Sequence, residues 1–168
     1  MFVPDAQVLG EVDRGWHVAM ATAGSERGLS LRSPARYSEA ADRLVHLYAD
    51  RLGSDPDRAR RSADAVARAW MDAEAYRLNT LWTATRVLNG GSVGPEASAN
   101  KIHWSETDLA IHRTALDLLG PEAELHGGHL DAPWLDGYLF ALAGPIYAGT
   151  NEIQRNVVAE RMLGLPRG

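Results

Sequence analysis

The 168-residue sequence has no cysteine. That excludes a disulfide framework, a thiolate zinc site, an iron–sulfur cluster and a catalytic thiol, and nothing in it demands an oxidising compartment. Lysine is nearly missing as well: Lys101 stands alone among 17 basic residues, a bias that GC-rich codon use explains as readily as chemistry does. Positive charge is not in excess. The net charge is −5, with 22 acidic residues dispersed among the basic ones, so no nucleic-acid partner is expected. Long apolar runs are also wanting. Stretches such as Gly137 to Ala148 fall short of the roughly 20 residues that cross a bilayer. Met1-Phe2-Val3-Pro4 lacks the basic-then-apolar order of a secretory signal. A soluble, cytoplasmic protein without a membrane partner is the expectation. What is present is 45% hydrophobic residues against 23% charged, enough for one domain with a single sizeable core.

No segment alternates apolar and polar residues for long enough to build a sheet. Helix signals dominate instead. Residues 1–14, with Pro4 and Gly10, read as an extended strand remnant or lead-in, and helix formers then run from Trp16 to about Leu31, weakened by Gly15, Gly24 and Gly28. Ser33-Pro34 is a start signal for a helix carrying Tyr37, Ala41, Leu44, Leu47 and Tyr48 on one side. Asp55-Pro56 repeats that signal. Ala59, Ala63, Val66, Trp70, Leu78, Leu81, Trp82, Thr85 and Leu88 then predict an apolar stripe about nine turns long. A further helix from about Ala97 to Leu119, with Ile102, Leu109, Leu116 and Leu119 on its face, stops at Gly120-Pro121. Glu122 to Pro133 reads as a glycine-rich loop, Trp134 to Leu142 as a short helix, Gly144 to Thr150 as an irregular turn, and Asn151 to Leu163 as the final helix. The predicted fold is all-α, an antiparallel up-down bundle of four main helices plus short ones.

Three stretches suggest chemistry, each with an ordinary alternative. No glutamate has histidine three residues later, so the usual bundle di-iron motif is absent, and His126 with His129 supplies too few ligands for zinc; no metal is expected. In Ala23-Gly24-Ser25-Glu26-Arg27-Gly28, small neighbours leave the Glu26 carboxylate unobstructed. Partly desolvated, such a group becomes a proton acceptor near neutral pH; the same residues also make a plain surface ion pair. Ile146 to Arg155 runs from a small-residue turn into a helix capped by Thr150 or Asn151, placing unpaired N–H groups and the positive dipole end beside the turn. That suits a phosphate, a ring carbonyl or a hydroxyl, or is simply a capped helix. Glu124-Leu125-His126-Gly127-Gly128 lets a flat or phosphorylated ligand approach, or makes a turn.

Together these pieces resemble the C-terminal half of the flavin-dependent acyl-CoA dehydrogenases. The resemblance runs from Val3-Pro4-Asp5…Leu9-Gly10…Gly15-Trp16 through Glu26-Arg27, Gly94-Pro95-Glu96-Ala97-Ser98…Lys101 and Leu118-Leu119-Gly120. It closes on Ile146-Tyr147-Ala148-Gly149-Thr150-Asn151-Glu152-Ile153-Gln154-Arg155-Asn156 and Ala159-Glu160-Arg161-Met162-Leu163-Gly164-Leu165-Pro166-Arg167. It implies that residues 1–14 are the exit from a β domain and that residues 15–168 form the C-terminal helical bundle.

Members of that family take an α-proton from an acyl-CoA thioester with a glutamate while the β-hydrogen leaves as hydride to flavin N5, giving a trans-2-enoyl-CoA. Many carry the glutamate directly before Gly-Thr in the closing motif, where this chain has Ala148. A branch resembling the isovaleryl- and long-chain-type enzymes puts it immediately before an arginine on the first helix of this domain, which is Glu26 here. The resemblance therefore implies Glu26 as base, with Ser25, Arg27, Tyr147, Ala148 and Gly149 bordering substrate. It implies Glu124, Leu125, His126, Gly127, Gly128, Thr150, Asn151 and Glu152 as FAD contacts. An electron-transfer flavoprotein as acceptor is implied too, with a homo-dimer or tetramer, or a hetero-oligomer with a chain carrying the N-terminal and β domains. The family's Arg-x-x-Phe-Gly element does not occur near Arg32 to Tyr37. Two other expectations stand beside this one: a non-catalytic partner subunit, and an oligomerisation bundle burying Trp70, Trp82 and Trp134 against copies of itself.

Overall fold

The computed structural model describes residues 4–21, 33–124 and 132–167. A 3-10 turn, Asp5–Gln7, precedes helical residues 15–21 (α1); α2 is Pro34–Ser54, α3 Pro56–Leu88, α4 Glu96–Leu119, α5 Ala132–Ala141 and α6 Asn151–Arg161. No strand occurs among the described residues, in agreement with the all-helical expectation.

The start signals act as their chemistry dictates. Proline occupies the first turn of α2 and of α3, where no intrahelical N–H is needed. Asp55 also accepts from the Arg58 backbone N–H at 3.1 Å, capping α3. Because Asp55 alone separates α2 from α3, the pair is an antiparallel hairpin, and Trp70 Nε1 reaches back to Asp42 at 3.1 Å. In turn α4 runs antiparallel to α3: Asn79 donates to Asn100 at 2.8 Å, and Arg86 to Glu96 at 2.7 Å. Between these three helices Tyr37, Leu44, Tyr76, Ile111, Ala115 and Leu118 are buried, with Tyr37 edge-on to Tyr76 at 5.1 Å.

Two expected faces turn out differently. Along α3 the buried positions are Ala59, Val66, Ala69, Ala73, Tyr76, Thr80 and Thr83, a seam with the alternating three- and four-residue steps of close-packed helices. Small residues fill most of it because α2 and α4 crowd that side. The large apolar residues of the sequence stripe, Trp70, Leu78, Leu81, Trp82 and Leu88, lie on the outside and are exposed. In α4 the expected face of Ile102, Leu109 and Leu116 is only half buried. Instead the helix is enclosed on both sides, by α2 and α3 on one and α5 and α6 on the other, so Ser98, Lys101, Ser105, Thr107, Asp108, His112 and Thr114 are buried with the apolar residues. Trp134 is a core residue at 5% exposure, not a surface for self-association, since α5 presses its indole against His112 at 5.7 Å.

Smaller corrections concern helix ends. α5 starts at Ala132 rather than Trp134, α6 stops at Arg161 rather than Leu163, and a 3-10 turn, Gly120–Glu124, runs into the expected loop.

Candidate functional site

The connection between α5 and α6 is a chain of turns stitched by its own backbone. Gly144 N–H donates to Ala141 O at 2.9 Å, Tyr147 N–H to Ala143 O at 3.1 Å, and Asn151 N–H to Pro145 O at 2.8 Å. Tyr147 packs its ring on Trp104 of α4 at 5.7 Å. The next two residues are left-handed, Ala148 with φ 56° and Gly149 with φ 87°. That is ordinary for glycine and costs roughly 1–2 kcal/mol for alanine. Thr150 then caps α6, its hydroxyl accepting from Ile153 N–H at 3.4 Å. Glu152 follows in the first turn, its carboxyl held below the ordinary range by its own backbone N–H and the Thr150 hydroxyl. A carboxylate there complements the positive end of the helix dipole.

A buried polar cluster lies beneath this turn. Asn151, the first residue of α6, is 3% exposed and turns its side chain into the bundle. Its Oδ1 accepts from Lys101 Nζ at 2.7 Å and from Ser105 Oγ at 3.2 Å. Glu106 lies 3.4 Å from Asn151 Nδ2 and 2.5 Å from Arg155. Burial pushes the Lys101 ammonium below its ordinary range, and Glu152 and Glu106 draw it partly back. Its ammonium also stands 5.8 Å from the Trp104 ring centre. A second cluster ties α2 to α4 and α5. Arg36 donates to the buried Asp108 at 3.0 Å, and His112 Nδ1 lies 2.8 Å from Asp108 O.

The structure thus brings together Tyr147, Ala148, Gly149, Thr150, Asn151 and Glu152 in one turn and helix start. Of these, Asn151 commits its side chain inward. Glu124 ends the 3-10 turn after α4. Ser25, Glu26 and Arg27, with Leu125, His126, Gly127 and Gly128, lie outside the described residues. Sequence reasoning gave Lys101 no weight and did not single out Gln154, whose amide contacts the turn. A usable signal existed for Lys101. It falls three residues before Trp104 and seven before Asp108, on the spacing of a buried seam, where a lysine needs a partner.

Chemically, the turn offers unpaired backbone donors. Neither Gly149 N–H nor Thr150 N–H has an acceptor among the described residues, and both residues are half-buried. Such a turn suits oxygen acceptors on a flat ligand, so the residues present fit one side of a flavin-and-thioester cleft.

An all-helical bundle closed by a glycine turn into a capped helix defines the class, and the comparisons name the family. Residues 13–163 match the acyl-CoA dehydrogenase C-terminal domain; the chain belongs to that family. It is 37% identical over 164 residues to the acyl-CoA dehydrogenase IpdE1 of Mycobacterium tuberculosis, covering 95% of this chain and 40% of that protein. It is 28% identical to the acyl-CoA dehydrogenase FadE34 of the same organism, covering 99% of this chain and 22% of that one. The chain therefore spans less than half the length of these relatives. Among solved structures it overlays the Tcur3481-Tcur3483 steroid ACAD with a TM-score of 0.72 at 26% identity, covering 99% of this chain and 44% of that one. The ChsE4-ChsE5 complex from Mycobacterium tuberculosis shares the fold, with a TM-score of 0.76 at 24% identity and coverage of 99% and 44%. No described helix is long and apolar enough to cross a membrane.

Proposed function

We propose that this chain is the C-terminal half of an FAD-dependent acyl-CoA dehydrogenase that converts an acyl-CoA to its trans-2-enoyl-CoA, with Glu26 as the α-proton base. The observation that carries the reading is the closing turn. It has the backbone form of a ligand-bordering corner, yet Ala148 brings no acid to it, so in this reading the proton acceptor comes from elsewhere, and Glu26-Arg27 is the pair in the sequence that the family resemblance supplies. FAD, when bound, accepts the β-hydrogen as hydride. In this reading the Gly149 and Thr150 N–H groups and Glu152 border the cofactor and thioester, together with the Glu124 to Gly128 loop. Tyr147 and Ala148 wall the acyl chain and exclude water, which strengthens the Glu26 carboxylate as a base. Arg27 orients that carboxylate, and Ser25 lies beside the substrate.

Residues 1–14 would lead out of a β domain, and the N-terminal and β domains would be supplied by the same or another polypeptide. The structural relatives, the Tcur3481-Tcur3483 steroid ACAD and the ChsE4-ChsE5 complex, each pair two components, which supports a hetero-oligomer here; a steroid-type acyl-CoA is the first substrate to try. Electrons would pass to an electron-transfer flavoprotein. The test joins this chain to the missing domains, in cis or in trans, and follows flavin bleaching with acyl-CoA. Bleaching is expected with the natural sequence, and its survival at full rate in Glu26→Gln refutes the base assignment.

A second reading, an oligomerisation bundle, is favoured by the exposed row Trp70, Leu78, Leu81, Trp82 and Leu88 on α3. It gains if the joined protein never retains flavin yet still assembles through that face.

A further inference from the structure

Gln154, on the second turn of α6, has no exposed surface, and its side chain is spent on the closing turn. The Nε2 group donates to Ala148 O at 3.0 Å and, less closely, to Gly149 O at 3.4 Å. These are the carbonyls of the two consecutive left-handed residues. Across a trans peptide the C=O of one residue and the N–H of the next point in opposite directions, and none of the described bonds is cis. Drawing both carbonyls inward onto Gln154 therefore turns the Gly149 and Thr150 N–H groups outward, and neither finds an acceptor among the described residues.

Two further facts show that the donor is what the position needs. A Cβ on Gly149 would lie 2.5 Å from Gln154 Nε2, so the amide fills the space that any other residue at 149 would claim. Gln154 Oε1 is buried with no hydrogen-bond partner among the described residues. An unsatisfied buried acceptor costs roughly 1–3 kcal/mol, which a methionine of equal length would avoid. Glutamine therefore leaves one buried acceptor unpaired while its Nε2 serves the Ala148 and Gly149 carbonyls.

We propose that Gln154 is a positioning residue: from inside the bundle its amide holds Ala148 and Gly149 left-handed and so sets the direction of the outward N–H groups. This rests on the preceding reading only for what the turn faces, namely thioester and flavin. The hold itself is a property of the 168-residue chain and is measured there.

The experiment is amide-resolved NMR on the 15N-labelled chain. In the natural sequence the Gln154 side-chain NH2 protons should exchange slowly, and fast exchange overturns the proposal whatever the variants do. Gln154→Met should keep the helical spectrum and cooperative melting, while the Gly149 and Thr150 amide signals move or broaden. Exchange at the Asn151 amide, bonded to Pro145 O, should rise about tenfold, the equivalent of losing one ordinary hydrogen bond. Gly149→Ala, which both strains the left-handed backbone at that position and pushes Nε2 away, should move the Thr150 and Asn151 amide signals too. Unmoved turn signals in either folded variant overturn the hold. In the joined enzyme kcat should fall about tenfold or more with little change in KM, the mark of lost alignment rather than lost binding. If the turn responds but the joined natural sequence never turns over acyl-CoA, the hold stands and the dehydrogenase reading fails.

Discussion

Gly137→Ala is a substitution for which two opposing effects can be weighed in advance. Gly137 lies inside α5, Ala132–Ala141. Replacing glycine by alanine within a helix ordinarily stabilises by about 0.5–1 kcal/mol. Here the new Cβ would sit 2.3 Å from His112 Nε2 and 2.4 Å from its Cδ2, far inside contact distance. The imidazole cannot swing clear: its Nδ1 is 2.8 Å from Asp108 O, its ring meets Trp134 at 5.7 Å, and His112 is 7% exposed. Overpacking a fixed site costs about 1–3 kcal/mol. At mid-range the clash wins, leaving a net loss of about 1 kcal/mol, which for a chain of this size lowers Tm by about 2–4 °C. Thermal melts of four proteins complete the cycle: the natural sequence, Gly137→Ala, His112→Ala and the double variant. With the ring removed, Gly137→Ala should become stabilising by about 0.5–1 kcal/mol, because only the helix effect remains. A Gly137→Ala chain that melts higher than the natural one with His112 in place would refute this packing account.

The remaining predictions concern charge. Lys101 is depressed from its ordinary 10.5, chiefly by burial, so between its folded value and 10.5 the unfolded chain binds more protons and stability rises with pH. The difference in urea stability between the natural chain and Lys101→Met should therefore shift in favour of the natural chain as pH climbs toward 10.5; a flat difference contradicts it. For Glu96, burial pushes the carboxyl up, but the Glu96 and Gly94 backbone N–H groups and Arg86 outweigh it and hold the group below 4.5. Its contribution is complete above 4.5 and is lost as pH falls through the lowered value. Glu96→Gln should cost about 1 kcal/mol at pH 7 and nothing measurable in acid below that window. Asp108→Ala, which strips Arg36 and His112 of a buried carboxylate, should cost about 3 kcal/mol or more in chemical denaturation. A loss under 1 kcal/mol would mean that the cluster contributes little.

Much of this was legible from local chemistry alone. Ser33-Pro34, Asp55-Pro56 and Gly120-Pro121 bracket helices because proline lacks an N–H and glycine accepts a positive φ, and the observed boundaries of α2, α3 and α4 follow them closely. The face of α2 was legible too, since that helix has one neighbour-facing side: Tyr37, Ala41 and Leu44 are buried. Faces failed where a helix has more than one covered side, or where its seam is filled by small residues. Periodicity weighs apolar bulk, and α4 mixes Lys101, Asp108 and His112 into its buried surface while α3 buries alanine and threonine.

The same blindness hid the machinery under the closing turn. Lys101, Ser105 and Gln154 matter through bonds to residues 50, 46 and 6 positions away. Only the nearest of those lies within a window that sequence reading inspects. A sequence marks where a turn falls; what holds the turn in one conformation is contributed by side chains whose polarity, read locally, argues for solvent. That is why the exposed row on α3 is the informative counterpart. Trp70, Leu81 and Trp82, at 45%, 51% and 55% exposure, are apolar residues that the chain's own core does not use. Large apolar side chains aligned on one face and exposed are what an interaction surface presents.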